Sequence, residues 1–297
     1  MTTMKKCIRI QAPLGTVRTA LTDPAALRGW LADQAEVNLP EQYQFWGRLT
    51  PDGAAPHQQL QHVDDTSLRY EWQLDGIATT VDIALQSEAG TGEQDATLLT
   101  LTQTNVPGWP EMLTEPGNRS LMHGYWNLTL ANLADYAEGR EIVGGCDFTS
   151  PELRREVLID ADRQTVYAAL TEPEQVSQWS GVKVEAELHA GGRWAMGGFE
   201  ANPQPARIVD LEAGKAMSID WGPMLQSWEL AESGGRTRLT FVLSGFDEAE
   251  PPYDGWLGSL TGLVALRRYL EIKDWRTFWV EADLEGVPDE LVTATDS

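Results

Sequence analysis

Residues 10–30, IQAPLGTVRTALTDPAALRGW, return as residues 159–179, IDADRQTVYAALTEPEQVSQW. At a constant offset of 149, Ile10, Ala12, Thr16, Val17, Ala20, Leu21, Thr22, Pro24 and Trp30 recur as Ile159, Ala161, Thr165, Val166, Ala169, Leu170, Thr171, Pro173 and Trp179, nine identities in 21 ungapped positions. Later blocks come in the same order: LRYEW (68–72) over MSIDW (217–221), TLLTLTQT (97–104) over TRLTFVLS (237–244), and HGYWNLTLANL (123–133) over the stretch that opens with DGWLGSL (254–260). The offset shrinks along the chain, so the first copy carries the longer loops. Self-similarity of this kind means two versions of one domain, and a domain of about 130 to 150 residues buries a core without a metal or disulfide staple. The expected division is copy one over 1–141, a linker over 142–152 that contains Gly and Pro and lacks periodicity, copy two over 153–281, and a polar, fraying tail over 282–297.

Within each copy the pattern predicts a short first strand, two short helices, an antiparallel meander and a long closing helix. Val17, Ala20 and Leu21 fall at helical spacing, as do Val166, Ala169 and Leu170, and Pro24 or Pro173 ends that helix before a second one carrying Trp30 or Trp179. Period-two alternation then puts Tyr43 and Phe45, Leu68, Tyr70, Trp72 and Leu74, Val81, Ile83 and Leu85, and Leu99, Leu101 and Gln103 on one face. In copy two the matching faces are Met217, Ile219 and Trp221, then Trp228 and Leu230, then Leu239, Phe241 and Leu243. The closing helices are expected near 119–138 and 255–272, with stripes of Trp126, Leu130 and Leu133 and of Leu260, Leu263, Val264 and Leu266. A one-faced sheet must cover its apolar side, and the long helix is the cover. The fold class is α+β.

This order, carried by I-x-A-xxx-TVxxALT-[DE]-P with Trp30 or Trp179, by strands ending in Trp72 or Trp221, by LTLTQTNVP and LTFVLSGFD, and by the Gly-Trp opening of the last helix, resembles the START-like (SRPBCC) superfamily. Within it the chain is similar to the group of the C-terminal domain of the heat-shock-protein-90 ATPase activator, over nearly all of both copies. The resemblance implies two tandem helix-grip domains, each a curved antiparallel sheet wrapped around its long C-terminal helix with an apolar pocket between. It also implies a choice of functions: binding of a small apolar or amphipathic molecule, cyclase- or hydrolase-type catalysis in the pocket, or a chaperone-associated or other interaction module. Nothing in the chain resembles the separate N-terminal domain by which the eukaryotic activator engages its chaperone, which weakens a chaperone partner.

Charge narrows the partners. The formal net charge is −23, with −10 over residues 1–148 and −13 over the rest, so it belongs to the whole surface. Such a surface repels phosphate backbones and anionic lipid, which argues against nucleic acid and membrane partners. Cys7 and Cys146 form no CxxC pair, no apolar run comes after Lys5 and Lys6 as in a signal peptide, and no stretch reaches the roughly 20 apolar residues of a membrane span. The expectation is a cytoplasmic chain with reduced thiols.

Candidate chemistry is sparse. His57 and His62 lack a third ligand at metal-like spacing, so neither metal nor cofactor is expected. Glu71 and Asp220 occupy matched strand positions on the outward side, which argues against acid–base work, and no catalytic residue is assigned. Arg193 is a possible anchor for an anionic ligand head or else a solvated strand residue. The glycines of 190–198 lack the ending of a phosphate loop, and Gly234-Gly235 reads as a hairpin turn. The pocket candidates are the inward Trp72, Gln103, Trp126, Trp221, Trp228, Phe241 and Trp256, with His123 at the mouth of the closing helix. Gln103 stands where copy two has Leu243, and it either orients a ligand or sits at the wet end of its strand. The aromatic positions serve core packing or line a ligand cage. The leading expectation is a non-catalytic binding protein.

Overall fold

The computed structural model describes residues 2–90, 95–112, 114 and 117–283. Along the first repeat run β1 (Thr3–Ile10), α1 (Leu14–Thr22), α2 (Pro24–Trp30), β2 (Gln34–Asn38), β3 (Gln42–Trp46), β4 (Gln58–Val63), β5 (Ser67–Leu74), β6 (Ile77–Ala89), β7 (Asp95–Thr104), α3 (Trp109–Met112) and α4 (Met122–Ala137). The second repeat has β8 (Leu153–Ile159), α5 (Arg163–Thr171), α6 (Pro173–Ser180), β9 (Val184–Ala186), β10 (Arg193–Met196), β11 (Ala206–Glu212), β12 (Ala216–Asp220), β13 (Leu225–Ser233), β14 (Arg236–Ser244) and α7 (Tyr253–Glu271), and the described chain ends in β15 (Trp279–Asp283).

The recurring residues of the repeat have visible jobs. The indole Nε1 of Trp30 donates to the Ala20 carbonyl at 2.9 Å, and Trp179 donates to Ala169 at 2.8 Å, so each tryptophan ties the second short helix to a carbonyl of the first. Thr97 Oγ1 donates to the Ala12 carbonyl at 2.8 Å, and Thr237 does the same for Ala161. At the start of α2 the Asp23 carboxylate accepts from the Ala26 amide at 2.8 Å, an N-cap ahead of Pro24 at the first helical position.

Both sheets are antiparallel. The first has the order β15-β1-β7-β6-β5-β4, and the second has the order β8-β14-β13-β12-β11-β10-β9. Bulges at Leu60/His62 and Ile208/Asp210 add twist to each. The inward residues expected from alternation are buried in β3, β5, β6 and β7 and in β12, β13 and β14, with Trp221 half-buried just past β12. Gly234 and Gly235 both take positive φ (61° and 84°) between β13 and β14, as a two-residue hairpin turn requires. The copies differ at one margin. β9 and β10 extend the second sheet, whereas β2 and β3 form a separate two-stranded ribbon, where the Phe45 amide is taken by the Gln58 side-chain oxygen at 3.2 Å.

The chain resolves into two compact units, whose limits differ from the expected copy boundaries. Residues 279–283, expected in copy two and the tail, form β15 and pair with β1 of the first sheet. The first unit takes residues 2–149 with Tyr253–Thr261 and 277–283; the second takes Ser150–Pro252 and Gly262–Arg276. Most of the expected linker is packed rather than free: Asn132 Nδ2 donates to the Gly144 carbonyl at 3.1 Å, the Phe148 amide donates to the Arg48 carbonyl at 2.8 Å, and Val143 and Cys146 are buried. The remainder of the expected tail, from 284 on, lies outside the described residues.

Candidate functional site

In the first unit, the space between sheet and α4 is occupied by the chain's own aromatic rings. Trp72, 0% exposed on β5, meets Phe45 at 5.2 Å between centroids, Tyr125 at 5.8 Å and Trp126 at 6.2 Å, all edge-to-face. Tyr43 and Tyr70 continue the cluster at 5.3 Å. Burial pushes the Tyr125 and Tyr43 hydroxyls well above the usual phenol range; the Tyr125 hydroxyl faces the hydroxyls of Thr50 and Thr129. Gln103, also 0% exposed, accepts from Trp126 Nε1 at 2.7 Å and donates to Thr79 Oγ1 at 2.9 Å, and Thr79 in turn donates to the Trp72 carbonyl at 2.8 Å. Three of the candidate residues, Trp72, Gln103 and Trp126, therefore meet one another.

His123 stands in the first turn of α4, 4% exposed, with Nε2 at 3.1 Å from the Pro107 carbonyl. Since a carbonyl only accepts, Nε2 carries the proton, and Nδ1 is a buried acceptor with no partner among the described residues. Burial, with the nearby Lys6 charge as a second cause, pulls the His123 pKa down to about 4, against the hydrogen bond to Pro107.

Lys6 is the residue that alternation reveals and that a reading of charge as surface misses. It shares the inward side of β1 with Met4, Ile8 and Ile10, is 2% exposed, and sets its Nζ 5.9 Å from the centroid of the Trp279 ring. At the repeat offset of 149 its counterpart is Arg155, on β8 opposite Phe241, as Lys6 is opposite Leu101. Directly opposed residues share a face, so both copies put a cation on the inward side of their first strand. The signal is in MKKCIRI and LRREVLI: counted in twos from the apolar ends, the second basic residue of each faces in.

In the second unit Trp228 is buried against Tyr167 at 5.9 Å, and Phe241 is buried beside it on β14. The inward row beyond them reads Leu153, Leu243, Gln226 and Ile219 across four strands. The matching row of the first unit has Met4, Gln103 and Val81 on the first three. The inward amide has thus moved one strand over, from Gln103 to Gln226. Gln226 is half-buried, and Trp221, past the end of β12, has a buried Nε1 with no hydrogen-bond partner among the described residues. Trp256 is buried, and its stretch of α7 is counted with the first unit.

The other candidates lie apart. Arg193 is exposed, with Nη2 and Nε at 2.6 and 3.0 Å from the two Glu187 oxygens and its guanidinium stacked 4.2 Å from the Phe199 ring. His57 and His62 contact Asp52 and Asp64 separately, and the described residues contain no group of three or more His, Cys, Asp or Glu able to hold a metal. A cavity of about 10 Å³ opens under α1 among Arg18, Leu21, Ser67, Leu68, Ile83 and Leu85, room for one water. In the second unit Tyr167, the counterpart of Arg18, meets Trp228 edge-to-face instead.

Curved sheets that close on helices around an inward face define a helix-grip protein. The family model described as "Activator of Hsp90 ATPase homolog 1-like protein" matches residues 11–138 and again 160–267, and the chain belongs to that family. Among solved structures it is similar to CalU16 from Micromonospora echinospora (20% identity over 40% of this chain and 73% of that one, TM-score 0.34). A protein from Enterococcus faecalis, EF2215, is 21% identical over 43% and 75%, with a TM-score of 0.36. DynU16, described as a putative protein in the dynemicin biosynthetic locus, is 16% identical over 91% and 97%, with a TM-score of 0.35. No curated protein matches. No helix among the described residues is long and apolar enough to cross a membrane.

Proposed function

We propose that the chain is a non-catalytic binding protein for a small apolar or amphipathic molecule, held by the inward face of the second copy. The supporting observation is the displaced amide. Gln103 spends its side chain on Trp126 and Thr79, inside a cluster closed by its own rings. Gln226, at the same height in the second copy, is half-buried, as is Trp221 just past the end of β12. The first copy then serves as a packed scaffold. In the second, Trp221, Trp228 and Phe241 give apolar contact, worth about 25 cal/mol per Å² removed from water, and Gln226 fixes orientation.

Native mass spectrometry of freshly purified full-length protein, joined to titration with the uncharged fluorophore N-phenyl-1-naphthylamine, tests this reading. The expected result is one bound molecule per chain and a binding signal weakened by Gln226→Leu or Trp221→Ala. A chain that carries and takes up nothing defeats it.

A further inference from the structure

We infer that the ligand of the second copy carries a neutral carbonyl oxygen, and that the indole N–H of Trp221 is the donor that takes it. This rests on the binding reading and adds the chemical group that the site recognises. The indole donors of the repeat are of two kinds. Trp30 and Trp179 spend theirs on the Ala20 and Ala169 carbonyls, and Trp126 gives its own to Gln103. Trp72 and Trp221, also a matched pair, each hold a buried Nε1 with no hydrogen-bond partner among the described residues. Trp275 holds another, beyond α7 and outside the repeated blocks.

A buried donor without an acceptor forfeits the hydrogen bond it would make to water, and native interiors keep few of them. Phenylalanine would give an aromatic ring at either position without that loss, yet both copies place an indole there. Packing accounts for the ring and leaves the N–H to be explained.

The two copies differ in what can reach that donor. Trp72 lies within β5, 0% exposed, with Phe45, Tyr125 and Trp126 edge-to-face around it. Trp221 stands just past β12, where its amide donates to the Met224 carbonyl at 3.0 Å across the turn at Gly222 and Pro223, and its ring is half-buried. The covered edge of such a ring, at the end of a sheet, is presented by a rotamer step while the core stays closed. Alternation puts Met217, Ile219 and Trp221 on one side of the sheet, with Trp228, Gln226 and Met224 on that side of the next strand. Of these six, Trp221, Met224 and Gln226 are half-buried and retain surface for a ligand. The row of Trp221 and the row of Gln226 are about 7 Å apart, which a fused bicyclic ring spans. Asp220, exposed and next in sequence to Trp221, and the net charge of −23 disfavour an anionic acceptor, so the group is a neutral ketone, ester or amide oxygen.

The test titrates the full chain with two naphthalenes of matched outline: 6-propionyl-2-dimethylaminonaphthalene, a ketone, and 2-dimethylamino-6-propylnaphthalene, the same body without the carbonyl. Both are expected to bind. Trp221→Phe should weaken the ketone about five- to tenfold, as loss of one neutral hydrogen bond implies, and leave the other probe within about twofold. In the parent, the carbonyl carbon resonance of isotopically labelled ketone should lie downfield of its position in an apolar solvent, and Trp221→Phe should return it. If Trp221→Phe does not fold, Gln226→Leu takes its place: the downfield shift persists if the indole is the donor and vanishes if the amide is. An unshifted resonance in the parent, binding of the carbonyl-free probe alone, a ketone affinity that Trp221→Phe leaves untouched, an equal loss for both probes, or a ketone affinity lost through Trp72→Phe instead overturns the carbonyl assignment while the binding reading stands. Failure of both probes to bind overturns both.

Discussion

Trp126 Nε1 donates to Gln103 Oε1 at 2.7 Å, between a helix residue and a strand residue that are both buried. The bond fixes α4 against β7 at one height. Gln103→Leu, which installs the residue found at the matching place in copy two, leaves the indole N–H unpaired and is expected to cost about 1 to 3 kcal/mol. Trp126→Phe strands the amide instead. In urea unfolding the double variant should be less destabilised than the two single changes summed, by about 1 kcal/mol or more. Strict additivity would mean that the bond contributes nothing.

Trp72 and Trp221 are counterparts by sequence but not by burial. Trp72→Ala empties a fully enclosed site and should cost about 3 to 5 kcal/mol. Trp221 is half-buried, and Trp221→Ala should cost only about 1 to 2 kcal/mol. Denaturant midpoints that fell equally for the two would contradict the difference between the two interiors.

The duplication, the element order and the inward faces are legible in the sequence because each is a local signal: a repeated string, a period of two, a period of 3.6. The same pattern marks Trp30 and Trp179 as structural, and their bonds to Ala20 and Ala169 give the reason. β15 is not legible, because WVEAD pairs with a strand some 270 residues earlier and periodicity carries no information about partners. Lys6 and Arg155 escape notice because charge is usually a solvated feature, and here strand parity overrules it. Gln103 reads equally as a ligand contact or a wet strand end; its bond to Trp126 is a third arrangement, set by a helix whose rotation the sequence does not specify. Chain order groups Trp256 with copy two, whereas the start of α7 counts with the first unit.

His123 makes the first unit sensitive to mild acid. Its folded pKa, about 4, lies below the ordinary 6.5, so between these values the unfolded chain takes up a proton that the native protein refuses. The contribution is complete above about pH 6.5, declines as pH falls, and is exhausted below about pH 4; at pH 5 the loss is about 2 kcal/mol. His123→Asn, which does not titrate, should remove that part of the decline, so the stability gap between parent and variant changes by about 2 kcal/mol from pH 7 to pH 5. Parallel curves over that range would show that the imidazole is not held neutral.

Gly124 lies on α4 where a Cβ would stand 3.1 Å from Leu257 Cβ, and Leu257, near the start of α7, is fully buried. Two opposed effects decide what Gly124→Ala does. Alanine in a helix interior is favoured over glycine by about 1 kcal/mol. Forcing a methyl group into a packed contact costs about 1 to 3 kcal/mol, so the net change should be destabilising. In a Leu257→Ala background, itself weakened by about 2 to 5 kcal/mol, the obstruction is relieved and the same Gly124→Ala change should become stabilising by about 1 kcal/mol. The reversal of sign between backgrounds is the measurement, made by comparing denaturant midpoints of the four proteins. If Gly124→Ala stabilises both backgrounds alike, Leu257 does not press on that turn of α4, and the close approach of the two helix segments is wrong.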